Sequence, residues 1–228
     1  MKSSLFRTAF LDTVPVMTGY LFLGFGFGIA LEQAGYGLIW AAAMSLFIYA
    51  GSMQYVAIGL LSSGAGLLTA AMTTFLVNAR HLFYGISMVD AYTGAGKKKP
   101  YLIFALTDET YSLVTHIPQG VNRHGYCLLV SALDQLYWVA GSVVGSLAGS
   151  LLPVNLEGID FVLTALFVTI FVEQWLTTKN HIPALTGLGV TAVCLLLFGP
   201  QIFLIPSMLA IAALLTILGK TGRRENHA

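Results

Sequence analysis

Residues 75–85 read FLVNARHLFYG and lie inside an apolar run from Leu67 to Val89. A helix over 67–93, rising about 1.5 Å per residue, places Arg80 about 20 Å from either end. Snorkelling cannot carry its guanidinium to water over that distance. A charge at the centre of a spanning helix costs about 3 kcal/mol or more on insertion scales. Asn78, Arg80 and His81 therefore need a reason to be there. Thr74, Asn78 and His81 share a helix face through their spacing of four and three. Two readings fit: a structural ion pair with a distant carboxylate beside a core histidine, or a mid-membrane polar site that binds substrate or relays protons.

The surrounding composition makes lipid the solvent. Of 228 residues, 57% are hydrophobic and 9% charged, and the mean hydropathy is +0.80. Soluble domains carry about 25% charged residues. The net charge of +1 supports no nucleic-acid partner. Cys127 and Cys194 sit in apolar runs and read as packing residues, not as a disulfide. A spanning helix needs roughly 20 apolar residues. Seven segments qualify: 14–31, 38–61, 67–93, 126–152, 159–178, 183–198 and 200–219. The expected fold is an all-α integral membrane protein, one polytopic domain over 1–228. It has about seven transmembrane helices and one short re-entrant or interfacial segment. The turn FGPQ (198–201) joins the last two spans as a hairpin. The N-terminal apolar run is too long for a signal peptide and is expected to be retained.

The extra segment is YLIFALTDETYSLVTHI (101–117), with Asp108 and Glu109 at its centre. Lys97, Lys98 and Lys99 precede it; His116, Arg123 and His124 follow. Basic flanks prefer the cytoplasm, so both ends are expected on that side. The tail (Lys220, Arg223, Arg224) and Lys179 also read as inside, and the 153–158 loop as outside. The N-terminal half conflicts with this scheme. Three spans back from the lysines put the N-terminus outside, against Lys2 and Arg7, unless one early segment does not fully cross. A faint repeat aligns SLFIYAGSMQY (45–55) with ALFVTIFVEQW (165–175), and Gly24 and Gly28 with Gly145 and Gly149. Halves over 10–93 and 126–219, joined by the cytoplasmic loop with 101–117, would form an inverted repeat, common in secondary transporters.

In IYAGSMQYVAIG (48–59), small Ala50, Gly51 and Ser52 lie beside Gln54, between Tyr49 and Tyr55. A Gly-Ser pair permits a break, which exposes backbone groups able to hold a small zwitterion; a plain packing groove is the alternative. LTDETYS (106–112) reads either as a surface helix or as a re-entrant acidic site facing Asn78 and His81. Asp134, near the start of its span, reads as interfacial. Gly141, Gly145 and Gly149, with Ser142, Ser146 and Ser150, form a small-residue groove whose partner lies in the chain or in another subunit. The sequence has no P-loop, no H-E-x-x-H and no metal-ligand spacing of histidines, so neither ATP hydrolysis nor metalloprotease chemistry is indicated.

YAGSMQ (49–54), NARHLFYG (78–85) and LTDETYS (106–112), in this order, resemble the AzlC family of branched-chain amino acid exporters over roughly residues 5–219. The resemblance implies a bacterial inner-membrane protein, not an enzyme, that exports valine, leucine, isoleucine and analogues. It also implies a small AzlD-type membrane subunit, and no cofactor. A zwitterion site could be built from Tyr49, Ser52, Gln54, Tyr55, Asn78 and Arg80, with Phe75 and Phe83 on its apolar side. Without an ATPase an ion gradient must drive transport, and His81, Asp108, Glu109 and Glu173 could carry a proton. The rival reading is a channel, or a structural subunit, for another small solute.

Overall fold

Among the described residues, two helices are long and apolar enough to cross a membrane: α1 (Lys2–Gln33), from Leu5 onward, and α8 (Arg123–Leu151). They pack along their whole length. Leu5 reaches Gly125, and the backbones of Leu21, Phe25 and Ile29 lie on Gly141, Gly145 and Gly149. Tyr126 donates to Asp12 across the pair at 2.8 Å. Residue numbers rise together along both helices, so the two run parallel. A Cβ on Gly24 would fall 2.8 Å from the Trp138 carbonyl oxygen, and one on Gly141 2.8 Å from that of Leu21. At Gly28 and Gly145 it would overlap the backbones of Ser142 and Phe25. The groove in α8 is therefore filled by α1 of the same chain. Small residues give this close approach, which lipid does not otherwise drive. Ser146 donates to Glu32 across the contact.

The computed structural model describes residues 2–151 and 180–199 continuously. It also describes 168, 171–172, 175–176, 178, 203, 206–207, 209–211 and 213–216. The side chains of residues 2–4, 80 and 83 lie outside this set. All regular structure among the described residues is helical, and the chain forms two units, Met1–Thr164 and Ala165–Ala228.

Between α1 and α8 the expected spans are broken. Segment 38–61 is two helices, α2 (Leu38–Phe47) and α3 (Gly51–Ser62). The amides of Ile48 and Tyr49 both bond to the Met44 carbonyl and end α2. Tyr49 then takes φ +45, and Ala50 φ −133 with ψ 85. The chain turns back there. Gln135 of α8 donates to the Leu46 carbonyl at 3.1 Å, and Gly51 sits on the Trp138 ring. Four residues later Tyr55 donates to the Leu23 carbonyl at 2.7 Å, and its ring meets Phe27. α3 thus climbs back toward the end where α1 finished. Gly35 (φ +87) and Gly64 (φ +63) close α1 and α3. Tyr36 N–H reaches Leu31 and Ala65 N–H reaches Leu60, a glycine-dependent helix stop.

Segment 67–93 is likewise two helices, α4 (Leu67–Val77) and α5 (Arg80–Met88). It runs from that end of the α1–α8 pair to the other, where Met88, Tyr92 and Ala95 pack with Ala9, Tyr126 and Cys127. A second excursion follows: α6 (Lys99–Phe104) and α7 (Asp108–Thr115). Tyr101 bonds to Gln135 at 2.8 Å, Thr107 to Tyr20 at 2.7 Å and Thr110 to Asp134 at 2.8 Å. The chain then returns to Arg123, beside its starting level. Neither helix approaches the roughly 20 residues of a span, and the segment enters and returns at one end. Lys2, Arg7, Lys97, Lys98, Lys99 and Arg123 all lie at that end; 33–37 and 63–66 at the other carry no lysine or arginine.

Among the described residues, Tyr49–Ala50 and Asn78–Ala79 interrupt two of the seven expected spans. α1, with Gly24 and Gly28, runs parallel to α8, with Gly145 and Gly149. In the second unit, α9 (Ile182–Phe198) ends at Gly199 with φ +73, as the FGPQ turn requires. Most of 159–178 and 200–219 lies outside the described residues. Cys127 and Cys194 are buried free thiols.

Gly145→Ala should destabilise the protein by about 1–3 kcal/mol through backbone overlap with Phe25. Gly59→Ala, where a Cβ meets nothing within 4 Å, should not. Melting of the two purified variants in detergent checks this.

Candidate functional site

The tips of the two excursions meet beside the middle of the α1–α8 pair. Tyr49, at the α2–α3 break, lies 6.2 Å from Phe104 at the end of α6, ring centre to ring centre. Tyr49 is only 4% exposed, and Asp134, Glu109 and Tyr20 are within its electrostatic reach. A bulky residue in the left-handed region costs about 1–3 kcal/mol and marks a conformation that its surroundings enforce. Non-helical backbone at membrane depth is tolerated only where protein covers it or a cavity faces it.

On the α2–α3 side, Trp138 Nε1 donates to Gln54 Oε1 at 2.9 Å, and Gln54 Nε2 reaches Ser45 Oγ at 3.4 Å. Gln54 is fully buried and Ser52 nearly so. Trp138 also meets the edge of Tyr20 and stacks on Phe27. On the α6–α7 side, Thr107 caps α7: its Oγ1 accepts from the Thr110 amide at 3.2 Å. Thr110 Oγ1 donates to Asp134 Oδ2 at 2.8 Å. Tyr20 Oη donates to Glu109 Oε2 at 2.6 Å and contacts Thr107 Oγ1 at 2.7 Å.

Asp134 is fully buried, not interfacial. Its helix starts at Arg123, earlier than the apolar pattern indicates, so Asp134 lies about 17 Å along it. Its Oδ1 has no hydrogen-bond partner among the described residues. Asp134, Tyr20, Thr107, Thr110 and Trp138 are the site residues that pattern reading missed. An acid within an apolar run was the available signal for Asp134.

Of the expected substrate residues, Tyr49, Ser52, Gln54 and Tyr55 come together at this centre. Asn78 and His81 are half-buried at the α4–α5 break. The ladder there tightens to three-residue bonds, His81 N–H to Asn78 and Leu82 N–H to Ala79, so the continuous helix face through Thr74, Asn78 and His81 is not kept. His81 Nδ1 lies 3.1 Å from the Asn78 carbonyl oxygen. Its ring meets the edge of Tyr84, which stacks on Tyr111 of α7 at 4.6 Å. Ser87 donates to Tyr111 at 3.1 Å. The acidic segment thus does face α5, through Tyr111. A cavity of about 200 Å³ opens beside His81, lined also by Met88, Tyr92, Lys99 and Leu106. Asp108 and Glu109 are half-buried. Phe75 is 63% exposed. The Arg80 and Phe83 side chains and all of Glu173 lie outside the described residues. No cluster of three metal-ligating side chains occurs among the described residues.

Broken helices that meet at a buried polar centre, on a scaffold of two long apolar helices, define a helical membrane protein built around an interior site. A family model described as AzlC protein matches residues 15–152, more than half of the chain. The chain is 48% identical over 217 residues to the branched-chain amino acid transport protein AzlC of Bacillus subtilis, covering 94% of this chain and 85% of that one. It is 41% identical over 214 residues to a membrane protein of Haemophilus influenzae, covering 92% and 88%. The inner membrane protein YgaZ of Escherichia coli is 28% identical over 182 residues, covering 76% and 74%. No solved structure matches. The chain belongs to the AzlC family.

Trp138→Phe should strand the buried Gln54 oxygen and cost about 1–3 kcal/mol. Trp138→Phe combined with Gln54→Leu should recover part of that loss. Thermal stability of the single and double variants is the measurement.

Proposed function

We propose that this chain is a multi-pass exporter of branched-chain amino acids, valine, leucine, isoleucine and analogues, in the bacterial inner membrane. An ion gradient drives it, and a small AzlD-type membrane subunit assists. The observation that carries this reading is the meeting of two broken-helix excursions at a buried polar centre, in a chain nearly half identical to a protein named for branched-chain amino acid transport. A zwitterion needs a place for each charge and a dry place for its side chain. The α3 N-terminus at Gly51 and Ser52 offers partial positive charge to a carboxylate. Gln54 and Asn78 offer amide groups, and Arg80 a full charge for the same carboxylate. Tyr49, Tyr55 and the nearby Phe27 and Trp138 offer apolar surface of the size that an aliphatic side chain requires. His81, Asp108, Glu109 and Glu173 are the titratable groups assigned to coupling.

The distribution of charge supports an orientation. Apart from Arg80 at the α4–α5 break, the lysines and arginines of the first unit gather at one end, so that end faces the cytoplasm. The N-terminus and the 97–99 lysines then share a side, because α2–α3 turns back without crossing.

Cells that express the chain with a small membrane partner should excrete valine faster than cells with the partner alone. Arg80→Gln should abolish that efflux at unchanged protein abundance. Normal efflux by an abundant variant would remove Arg80 from the site, and disappearance of the protein would make it structural. Single cysteines at Lys98 and Arg123, with Cys127 and Cys194 replaced, should label only from the cytoplasm, and one at Ala65 only from outside. Opposite labelling of Lys98 and Arg123 would overturn the topology.

A further inference from the structure

Two carboxylates at the centre are joined by an unbroken line of hydroxyls. From Glu109 Oε2 the line runs to Tyr20 Oη at 2.6 Å, to Thr107 Oγ1 at 2.7 Å and to Thr110 Oγ1 at 3.1 Å. It ends on Asp134 Oδ2 at 2.8 Å. Its members come from α1, α7, the residue capping α7, and α8. Tyr20, Thr107, Thr110 and Asp134 are each 7% exposed or less, whereas Glu109 is half-buried.

Counting hydrogens makes the line more than a packing feature. It has four links, and its three hydroxyls supply three hydrogens. When both carboxyls are ionised, Tyr20 donates to Glu109, Thr107 donates to Thr110, and Thr110 donates to Asp134. The contact of 2.7 Å between Tyr20 and Thr107 then has no hydrogen in it. One acid proton fills all four links. With that proton on Asp134, every bond points toward Glu109; with it on Glu109, every bond points toward Asp134. Passage between these states moves one hydrogen across each link and so relays the acid proton from one carboxyl to the other, with none gained or lost; uptake at one carboxyl, release at the other and rotation of the three hydroxyls then reset the line. The second oxygen of Asp134 has no partner among the described residues, and an ionised carboxylate left so in a dry interior is costly. Among the described residues, the titratable groups facing Asp134 are Tyr20 from α1, Tyr49 from the α2–α3 break, Tyr101 from α6, Glu109 from α7 and Tyr126 on α8, and none of these is basic.

We propose that Asp134 and Glu109 share one proton through Thr110, Thr107 and Tyr20, and that this proton couples amino-acid export to a proton gradient. The coupling part rests on the transport reading above. Asp134 is the buried terminus and Glu109 the terminus nearer water. The hydroxyls are positioning groups that carry the proton between them.

The test uses the full-length chain together with its small membrane partner in proteoliposomes, with valine as the probe. Tyr20→Phe removes one hydroxyl from the middle of the line. Flux driven by a pH gradient should fall by about a hundredfold, the scale of a lost proton-transfer group, while valine counterflow, which moves no net proton, persists. Thr110→Val should behave in the same way and Thr110→Ser should restore coupling. Gradient-driven flux that survives in both Tyr20→Phe and Thr110→Val overturns the proposal. Equal loss of counterflow in these folded variants also overturns it, because the hydroxyls would then serve substrate or structure. An infrared pH titration of the purified chain without substrate separates the two readings. One protonated-carboxyl stretch should be present, absent in Asp134→Asn and shifted in Tyr20→Phe. Its absence from the wild-type chain overturns proton sharing whatever the chain transports, and its presence with no valine flux leaves sharing intact but overturns the exporter reading.

Discussion

The backbone-to-backbone contact between α1 and α8 supports everything else. Gly28 and Gly145 each sit where a single added carbon would overlap the opposite main chain. That closeness brings Tyr20 of α1 and Asp134 of α8 within reach of Thr107 and Thr110, and it presents Trp138 and Gln135 as anchors. Both excursions lean on these anchors. Gln135 binds the α2 tip with its amide nitrogen and Tyr101 with its amide oxygen. A wider α1–α8 spacing would carry Tyr20 out of reach of Thr107 and separate the two tips.

Breaking a helix inside an apolar protein leaves polar backbone groups to be satisfied, and this chain packs the α2–α3 break and the turn before α7 against neighbouring elements. Tyr49 adopts a conformation that a tyrosine avoids, and does so beneath the ring of Phe104. Thr107 replaces a missing turn of helix by capping α7 with its own hydroxyl. The same residue also touches Tyr20 and Thr110, so the structural cap and the line of hydroxyls are one set of atoms. Changes that weaken the cap therefore weaken the polar centre.

Charge at the ends agrees with this architecture. A reading with every apolar run as a crossing sets Lys2 and Arg7 against the lysines at 97–99. The conflict disappears once 38–62 is seen to turn back at Tyr49. The basic residues of the first unit then collect at one end, with Arg80 at the α4–α5 break the one exception among them.

Composition alone determined that the chain belongs in lipid, because no soluble core could absorb so many apolar residues with so few charges. The motifs at 49–54, 78–85 and 106–112 determined the family, and basic flanks on both sides of 101–117 narrowed this segment to a re-entrant or an interfacial one. The Gly-Ser pair announced a weak point near residue 51. Tertiary structure alone decided how deep each polar group lies and which groups meet. Hydropathy runs blur helix ends by several residues, and a few residues of extra helix before residue 126 move Asp134 from the interface to the interior. Hydrogen-bond partners 24 to 114 residues apart, such as Thr110 with Asp134 and Asp12 with Tyr126, leave no periodic trace, because they depend on which helix faces touch. The direction of α1 relative to α8 was equally hidden, since a glycine groove reads the same for a parallel and an antiparallel neighbour.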